Sequence, residues 1–280
     1  MLMKVKIILK YLFSFLFFLS SLILILLLII KFSVFNKDYL LNTLNENNYY
    51  ESINNEIKEE MEDFITSSGF SKEILDNIYT KEDVTNDINL YIDSLYLGNK
   101  LILNKENINK KLKENIDNYL KENNVDVVNN NDIDSFISEV VDIYKDEIML
   151  YNTLDSFINS FNKISNILNY GIIILLVITI ILFIVNIKYR SYYLSSFMSV
   201  GLILLFLRMV IYEKIDVINI LIVSEEFSLI LKNIITLIGT LLLKFGIIFI
   251  IIGLVLMLVI KCQQEKRKRI NNWNDYLFFV

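Results

Sequence analysis

The chain has 280 residues, 54% of them hydrophobic, with a mean hydropathy of +0.48 and a net charge of −5. It contains 1 cysteine, no histidine and no proline, which excludes an internal disulfide, a thiolate metal site and any chemistry that needs an imidazole. We therefore expect no metal, no cofactor and no enzymatic activity, and the absence of proline indicates an all-helical protein.

Charge is divided unevenly along the chain. Residues 32–169 carry 12 basic and 26 acidic side chains, whereas the remaining residues carry 15 basic and 6 acidic ones. The basic residues outside this range cluster at the ends of long apolar runs. Because basic residues mark the cytoplasmic side of membrane proteins, this pattern predicts an integral membrane protein with one acidic domain outside the membrane.

Residues 1–31 are predicted to form a short cytoplasmic N-terminus and transmembrane helix 1. The apolar run from Tyr11 to Ile30 is long enough to span, since about 20 residues cover a hydrocarbon core of about 30 Å. Lys4, Lys6 and Lys10 precede or begin this run, and no small-residue cleavage pattern follows it. We interpret the segment as an uncleaved signal anchor.

Residues 32–169 are predicted to form an acidic, extracytoplasmic helical bundle inserted between transmembrane helices 1 and 2. Apolar residues recur every three or four positions, which is the period of a helix packed on one face. The four stripes are Ile53, Ile57, Met61 and Phe64 or Ile65; Val84, Ile88, Tyr91 or Ile92, and Leu95; Ile108, Leu112, Ile116 and Leu120; and Ile133, Phe136, Val140, Tyr144 and Ile148. Thr80 with Asp83 is typical of a capping box, and Gly69 and Gly98 fit helix ends.

Two acidic clusters of this domain have the oxygen ligands that hard cations prefer. They comprise Glu59, Glu60, Glu62 and Asp63, and Glu82, Asp83 and Asp87. Neither cluster has the pattern of a calcium-binding loop. We therefore predict that both clusters lie on solvated helix faces and bind no metal.

Three further transmembrane helices are predicted, helix 2 at 170–187, helix 3 at 191–212 and helix 4 at 234–260. A turn with Lys188 and Arg190 joins the first two, residues 213–233 form an extracytoplasmic loop and helix start, and residues 261–280 form a basic cytoplasmic tail. The positive-inside rule then gives a multi-pass protein of the cell membrane with both termini cytoplasmic. No helix breaker lies between Asp132 and Tyr170, so one helix can continue from the domain into helix 2.

Two cations lie within the predicted spans. At 1.5 Å per residue, Arg208 lies about 25 Å from Ser191 and Lys244 about 24 Å from Ile260, so both reach the outer headgroups. The favoured interpretation is that both side chains snorkel to the lipid phosphates. The alternative is an outer-leaflet site for a ligand or lipid headgroup, formed by Arg208, Lys244 and Glu213.

Three glycines of the last span are spaced seven residues apart, at Gly239, Gly246 and Gly253. Residues at this spacing share one helix face, and small residues let helices approach closely in lipid. The stripe is therefore predicted to pack against a neighbouring helix.

The C-terminal tail begins with a basic cluster, Lys261, Lys266, Arg267, Lys268 and Arg269. Basic residues at this position attract anionic lipid by about 1 kcal/mol per charge. We expect the cluster to contact the inner leaflet, although it can equally serve only as a topology signal.

Two helix starts, Tyr49-Tyr50-Glu51-Ser52-Ile53 and Thr80-Lys81-Glu82-Asp83-Val84, together with the arrangement of the apolar runs, resemble those of uncharacterised bacterial four-helix membrane proteins with a helical extracytoplasmic domain. The resemblance implies that architecture and a bacterial origin. It implies no activity and no functional residue.

A large outer domain beside little cytoplasmic mass favours a non-enzymatic membrane protein. We expect its extracytoplasmic domain to bind or sense a partner protein, an envelope component or a lipid. The alternative is a transporter subunit or lipid-handling protein that uses the outer-leaflet site near Arg208 and Lys244. The expected partners are the lipid bilayer and a membrane or envelope protein, but not nucleic acid.

Overall fold

The computed structural model describes residues 2–98, 101, 103, 105–124, 130–149, 154–188, 193–214 and 225–277. The helices are α1 (Leu2–Ser33), α2 (Lys37–Glu46), α3 (Tyr49–Ser67), α4 (Lys81–Leu97), α5 (Lys105–Glu122), α6 (Asn130–Met149), α7 (Leu154–Lys188), α8 (Tyr193–Lys214) and α9 (Glu225–Leu277), with a short 3₁₀ helix at Lys72–Leu75. None of these described residues forms a strand. The predicted all-helical fold class is confirmed.

Four helical segments are long and apolar enough to cross a membrane, as predicted. They are Lys4–Ser33, Ser160–Ile187, Leu194–Glu213 and Ser228–Cys262. The spans predicted at 170–187 and 234–260 lie inside the longer helices α7 and α9. The proposed continuity from Asp132 into helix 2 falls on residues 150–153, which lie outside the described residues.

The chain divides into two compact units. Unit 1 comprises Met1–Phe35, Ile167–Leu221 and Leu231–Val280, and unit 2 comprises Asn36–Asn166 and Ile222–Ile230. Unit 1 thus contains most of the apolar segments, and unit 2 covers nearly the same residues as the domain predicted at 32–169.

Within unit 1, α1 packs against the other three apolar helices. Ile25 and Ile29 share a buried cluster with Leu204 of α8 and Leu242 of α9. Leu24, which directly precedes Ile25 on α1, packs with two residues of α7 in a second cluster, Leu168 and Ile172. In lipid the hydrophobic effect does not drive helices together, so close packing stabilises their association instead. These contacts therefore define the arrangement of the helices in unit 1.

Unit 2 buries most residues of the predicted apolar stripes. The stripe residues that are buried are Ile53, Ile57, Met61, Ile65, Val84, Ile88, Tyr91, Ile92, Leu95, Ile108, Leu112, Ile116, Leu120, Val140, Tyr144 and Ile148. On α6, Ile133 and Phe136 are only half-buried, whereas Ile137 and Val141 are buried. This difference arises because α6 packs against α3, α4 and α5 together, so its buried face is wider than one stripe.

The predicted helix ends are confirmed by local geometry. The Thr80 hydroxyl accepts a hydrogen bond from the Asp83 amide at 3.2 Å, and the Asp83 carboxylate accepts one from the Thr80 amide at 2.9 Å. Gly98 ends α4 at φ 70°, and Gly69 follows α3 at φ 86°, a left-handed conformation that glycine adopts without a steric penalty.

Candidate functional site

The three residues predicted to form an outer-leaflet site all belong to unit 1, with Arg208 and Glu213 on α8 and Lys244 on α9. The guanidinium carbon of the half-buried Arg208 lies 5.9 Å from the ring centre of Tyr212, one turn later on α8. Lys244 and Glu213 are exposed. Among the described residues, no hydrogen bond or ion pair connects Arg208, Lys244 and Glu213. An aromatic partner on its own helix favours the snorkelling interpretation of Arg208.

The glycine stripe meets α8 at two of its three positions. A Cβ at Gly246 would lie 3.0 Å from the Leu205 side chain, and one at Gly253 would lie 2.9 Å from Met198. A Cβ at Gly239 would meet no atom within 4 Å. The tightest position is Gly201 of α8, where a Cβ would lie 2.6 Å from the Ile250 side chain and 2.7 Å from the Gly246 carbonyl oxygen. The sequence stripe did not include Gly201, because its role depends on which helix lies opposite.

A small polar cluster joins three helices inside unit 1. The hydroxyls of Ser14 and Ser196 lie 2.9 Å apart, and Ser196 donates to the Ser14 carbonyl at 2.9 Å. The Asn186 amide donates to the Phe13 carbonyl at 3.0 Å. Buried polar groups that are hydrogen-bonded fix helix positions in an apolar environment, so this cluster is a packing contact between α1, α7 and α8. Its only sequence signal is the presence of small polar residues in apolar runs.

The basic cluster of the tail is described only in part. Lys261 is exposed at the end of the apolar part of α9. The side chains of Lys266, Arg267, Lys268 and Arg269 lie outside the described part of the structure.

Unit 2 contains an open groove between α5 and α6, with a volume of about 600 Å³. We call it the α5–α6 groove. It is lined by Lys105, Glu106, Asn109, Lys110, Lys113, Asp134, Ile137, Ser138, Val141 and Asp142. No pattern in the sequence indicates this groove, because it depends on the pairing of two helices whose outward faces both have the composition of ordinary polar surface.

Ion pairs cross the α5–α6 groove above an apolar floor. The Lys113 ammonium lies 2.7 Å from Asp134, and the Lys105 ammonium lies 3.7 Å from Asp142. The hydrogen bond to Asp134 raises the pKa of Lys113, so this cation stays charged. Exposed ion pairs contribute only about 0–1 kcal/mol, so a partner with charges of its own can replace them at little cost. The groove therefore fits a polar, mixed-charge partner better than an apolar small molecule.

A second polar feature lies between α3 and α6. The pKa of Glu147 is raised to about 7, first by burial and then by the negative charges of Glu60 and Glu56. Glu147 also shares a hydrogen bond with Glu60. The acidic cluster around Glu60 is thus partly an interhelical contact, and Glu147 changes its protonation near neutral pH.

We expect Glu147→Gln to stabilise the protein at pH 8 and to have little effect at pH 4. A carboxyl with a raised pKa in the folded state loses stability as the pH rises from its unfolded value to its folded value. Here this window runs from 4.5 to about 7. This pKa shift corresponds to a loss of roughly 3 kcal/mol in the free energy of unfolding at high pH. Because the side chain is partly exposed, solvent screening reduces the loss to about 1–2 kcal/mol.

The measurement is thermal unfolding of the full chain in detergent at both pH values. Removal of the charge at pH 8 should raise the midpoint by about 3–6 °C. Glu139→Gln is the matched control, because Glu139 is an exposed carboxylate on the same helix. An equal change in the unfolding midpoint for both variants at pH 8 would contradict the raised pKa of Glu147.

The prediction that Asp87 lies on a solvated face is wrong. Asp87 is 3% exposed, and the hydroxyl of the buried Tyr144 donates to its carboxylate at 2.8 Å. Among the residues that the structure describes, no group of three or more Asp, Glu or Cys side chains is arranged to hold a metal ion.

The fold therefore defines an all-helical protein in which four helices can cross a membrane and a separate helical unit carries an open groove. No protein-family model matches the sequence, and comparisons with curated proteins and with solved structures find no match.

Proposed function

We propose that this chain is a non-enzymatic integral membrane protein that holds unit 2 outside the membrane and binds a partner protein there. The charge distribution supports this orientation. Basic residues lie at the N-terminus, at Lys188 and Arg190 and after the last apolar segment, whereas residues 32–169 are strongly acidic. Four crossings return the chain to the side on which it began, so the basic segments all lie in the cytoplasm.

The α5–α6 groove is the observation that carries the binding role. Its apolar floor, Ile137 and Val141, is buried and belongs to the core of unit 2, so the groove keeps its shape without a partner. Its rim offers lysines and aspartates together. This combination suits a protein segment that presents both charges and one apolar side chain, and such a segment would belong to a membrane or envelope protein.

A photo-crosslinking amino acid placed at Asn109 tests this proposal in the native membrane. Asn109 is exposed and lines the groove. We expect a covalent adduct with one protein, identified by mass spectrometry after purification in mild detergent. Lys113→Glu places an anion beside Asp134 and should lower the yield of this adduct about tenfold, which corresponds to a loss of about 1.4 kcal/mol.

The matched control uses the same photo-crosslinking amino acid at Asn118. Asn118 is exposed on α5 but lies nine residues away, which places it on the opposite helix face. The same adducts from both positions, or an adduct from Asn109 that Lys113→Glu leaves unchanged, would contradict the proposal. Adducts with lipid alone would instead support a lipid-handling protein.

A further inference from the structure

The two ion pairs of the α5–α6 groove follow one helical repeat. Lys105 of α5 pairs with Asp142 of α6, and Lys113 of α5 pairs with Asp134 of α6. On each helix the two charged residues are eight positions apart, so the ion pairs lie about 12 Å from each other along the groove. In both pairs the lysine belongs to α5 and the aspartate to α6.

The two walls of the groove therefore carry opposite charge. The residues that line the α5 wall include three lysines and one glutamate, whereas those that line the α6 wall include two aspartates and no cation. Asn109 on α5 and Ser138 on α6 lie midway between the charged positions, and both are exposed. A partner that lies along the groove meets a positive edge on one side, a negative edge on the other and neutral hydrogen-bonding groups between them.

The paired charges remain accessible to a partner. In the first pair, 53% of the Lys113 side chain and 58% of the Asp134 side chain are exposed. In the second pair, the exposed fractions are 35% for Lys105 and 54% for Asp142. An ammonium group has several donors and a carboxylate has several acceptor sites. Each group can therefore bind a charge that approaches from outside the groove while it keeps its present partner.

We propose that the groove binds an amphipathic helix of the partner protein, with acidic residues on the flank that faces α5 and basic residues on the flank that faces α6. This inference rests on the proposed function and adds the chemistry of the partner. Like charges that recur every seven residues form one flank of a helix, with a spacing of about 10.5 Å, which is close to the spacing of the two ion pairs.

A helix suits this groove better than an extended segment does. The walls are helices, whose backbone groups are already hydrogen-bonded within α5 and α6, so they offer no backbone edge to which a strand could be added. An extended partner would bring unpaired backbone N–H and C=O groups against the walls, whereas a helix satisfies these groups internally.

The adduct from the photo-crosslinking amino acid at Asn109 tests this inference in the native membrane with the full chain. Lys113→Asp combined with Asp134→Lys exchanges one ion pair and keeps the pairing across the groove, but it gives both walls mixed charge. A helix with acids on one flank and bases on the other cannot match such walls in either direction. We expect the yield of the adduct to fall about tenfold and the midpoint of thermal unfolding to stay unchanged.

The matched control exchanges an ion pair elsewhere in unit 2. Lys81→Glu combined with Glu51→Lys reverses a pair between α4 and α3 whose side chains are 56% and 59% exposed and do not line the groove. This variant should give the wild-type yield. The crosslinked residue of the partner, located by mass spectrometry, should lie in a helix with acids and bases on opposite flanks. Exchanging the facing acid and base of that helix should restore the yield with the Lys113→Asp, Asp134→Lys protein.

The outcomes separate this inference from the proposed function. An unchanged yield in the Lys113→Asp, Asp134→Lys protein would overturn the inference but leave a protein partner at the groove. A crosslinked segment that is not helical or lacks oppositely charged flanks would do the same, as would a reciprocal exchange that fails to restore the yield. The absence of any protein adduct from Asn109 would overturn the proposed function and this inference with it.

Discussion

Gly201→Ala is expected to destabilise unit 1 by about 1–3 kcal/mol, which is the usual cost of overpacking. The added Cβ would lie 2.7 Å from the Gly246 carbonyl oxygen and 3.1 Å from the Ile250 amide nitrogen. Both are backbone atoms, so no side-chain rotation relieves the clash and the two helices must separate. Thermal unfolding of the purified protein in detergent measures the loss as a lower midpoint.

Gly239→Ala is the matched control for this prediction. The same methyl group at Gly239 meets no atom within 4 Å, and both glycines lie inside long helices. Each substitution gains helix propensity of up to about 1 kcal/mol, so the difference between the variants isolates the packing between α8 and α9. Equal midpoints for the two variants would contradict the close approach of these helices.

Tyr144→Phe is expected to destabilise unit 2 by about 2–3 kcal/mol, because it removes a donor from a buried carboxylate. Tyr144 is fully buried and Asp87 is 3% exposed. Burial first, and then the negative charge of Asp87, raise the pKa of Tyr144, so its hydroxyl remains a donor throughout the accessible pH range. The measurement is again the midpoint of thermal unfolding, which should fall by several degrees.

Two further variants show whether the Asp87 carboxylate causes the loss of stability in Tyr144→Phe. Tyr79→Phe makes the same chemical change in the ring that packs 5.3 Å from Tyr144, and it should cost much less. Asp87→Asn in the Tyr144→Phe background removes the buried charge and should recover part of the loss, which a double-mutant cycle quantifies. If Tyr144→Phe unfolds at the same temperature as the wild type, the hydrogen bond between Tyr144 and Asp87 does not stabilise unit 2 as expected.

The helical fold and the four apolar segments follow from periodicity and hydropathy, which are local properties of the sequence. Ile108, Leu112, Ile116 and Leu120 illustrate this, since their spacing of four predicts one face and all four are buried. The capping box at Thr80 and the left-handed Gly98 are equally local, because a helix end is determined by residues within one turn.

The contacts between helices could not be predicted in the same way. Glu60 belongs to a run of acids typical of a solvated face, but it hydrogen-bonds Glu147 because α3 packs against α6. Ser14 and Ser196 are 182 positions apart, and no pattern within either helix indicates the other. The α5–α6 groove has the same origin, since each of its walls alone reads as ordinary polar surface.

The most direct test of the proposed function is the side of the membrane on which unit 2 lies. Cys262 is the only cysteine and is exposed, so a membrane-impermeant maleimide can report its position. In intact cells or right-side-out vesicles, we predict that Cys262 is protected until the membrane is permeabilised. Asn118→Cys in a Cys262→Ser background should be labelled at once. Labelling of Cys262 before permeabilisation, or protection of Asn118→Cys, would contradict the outward orientation of unit 2.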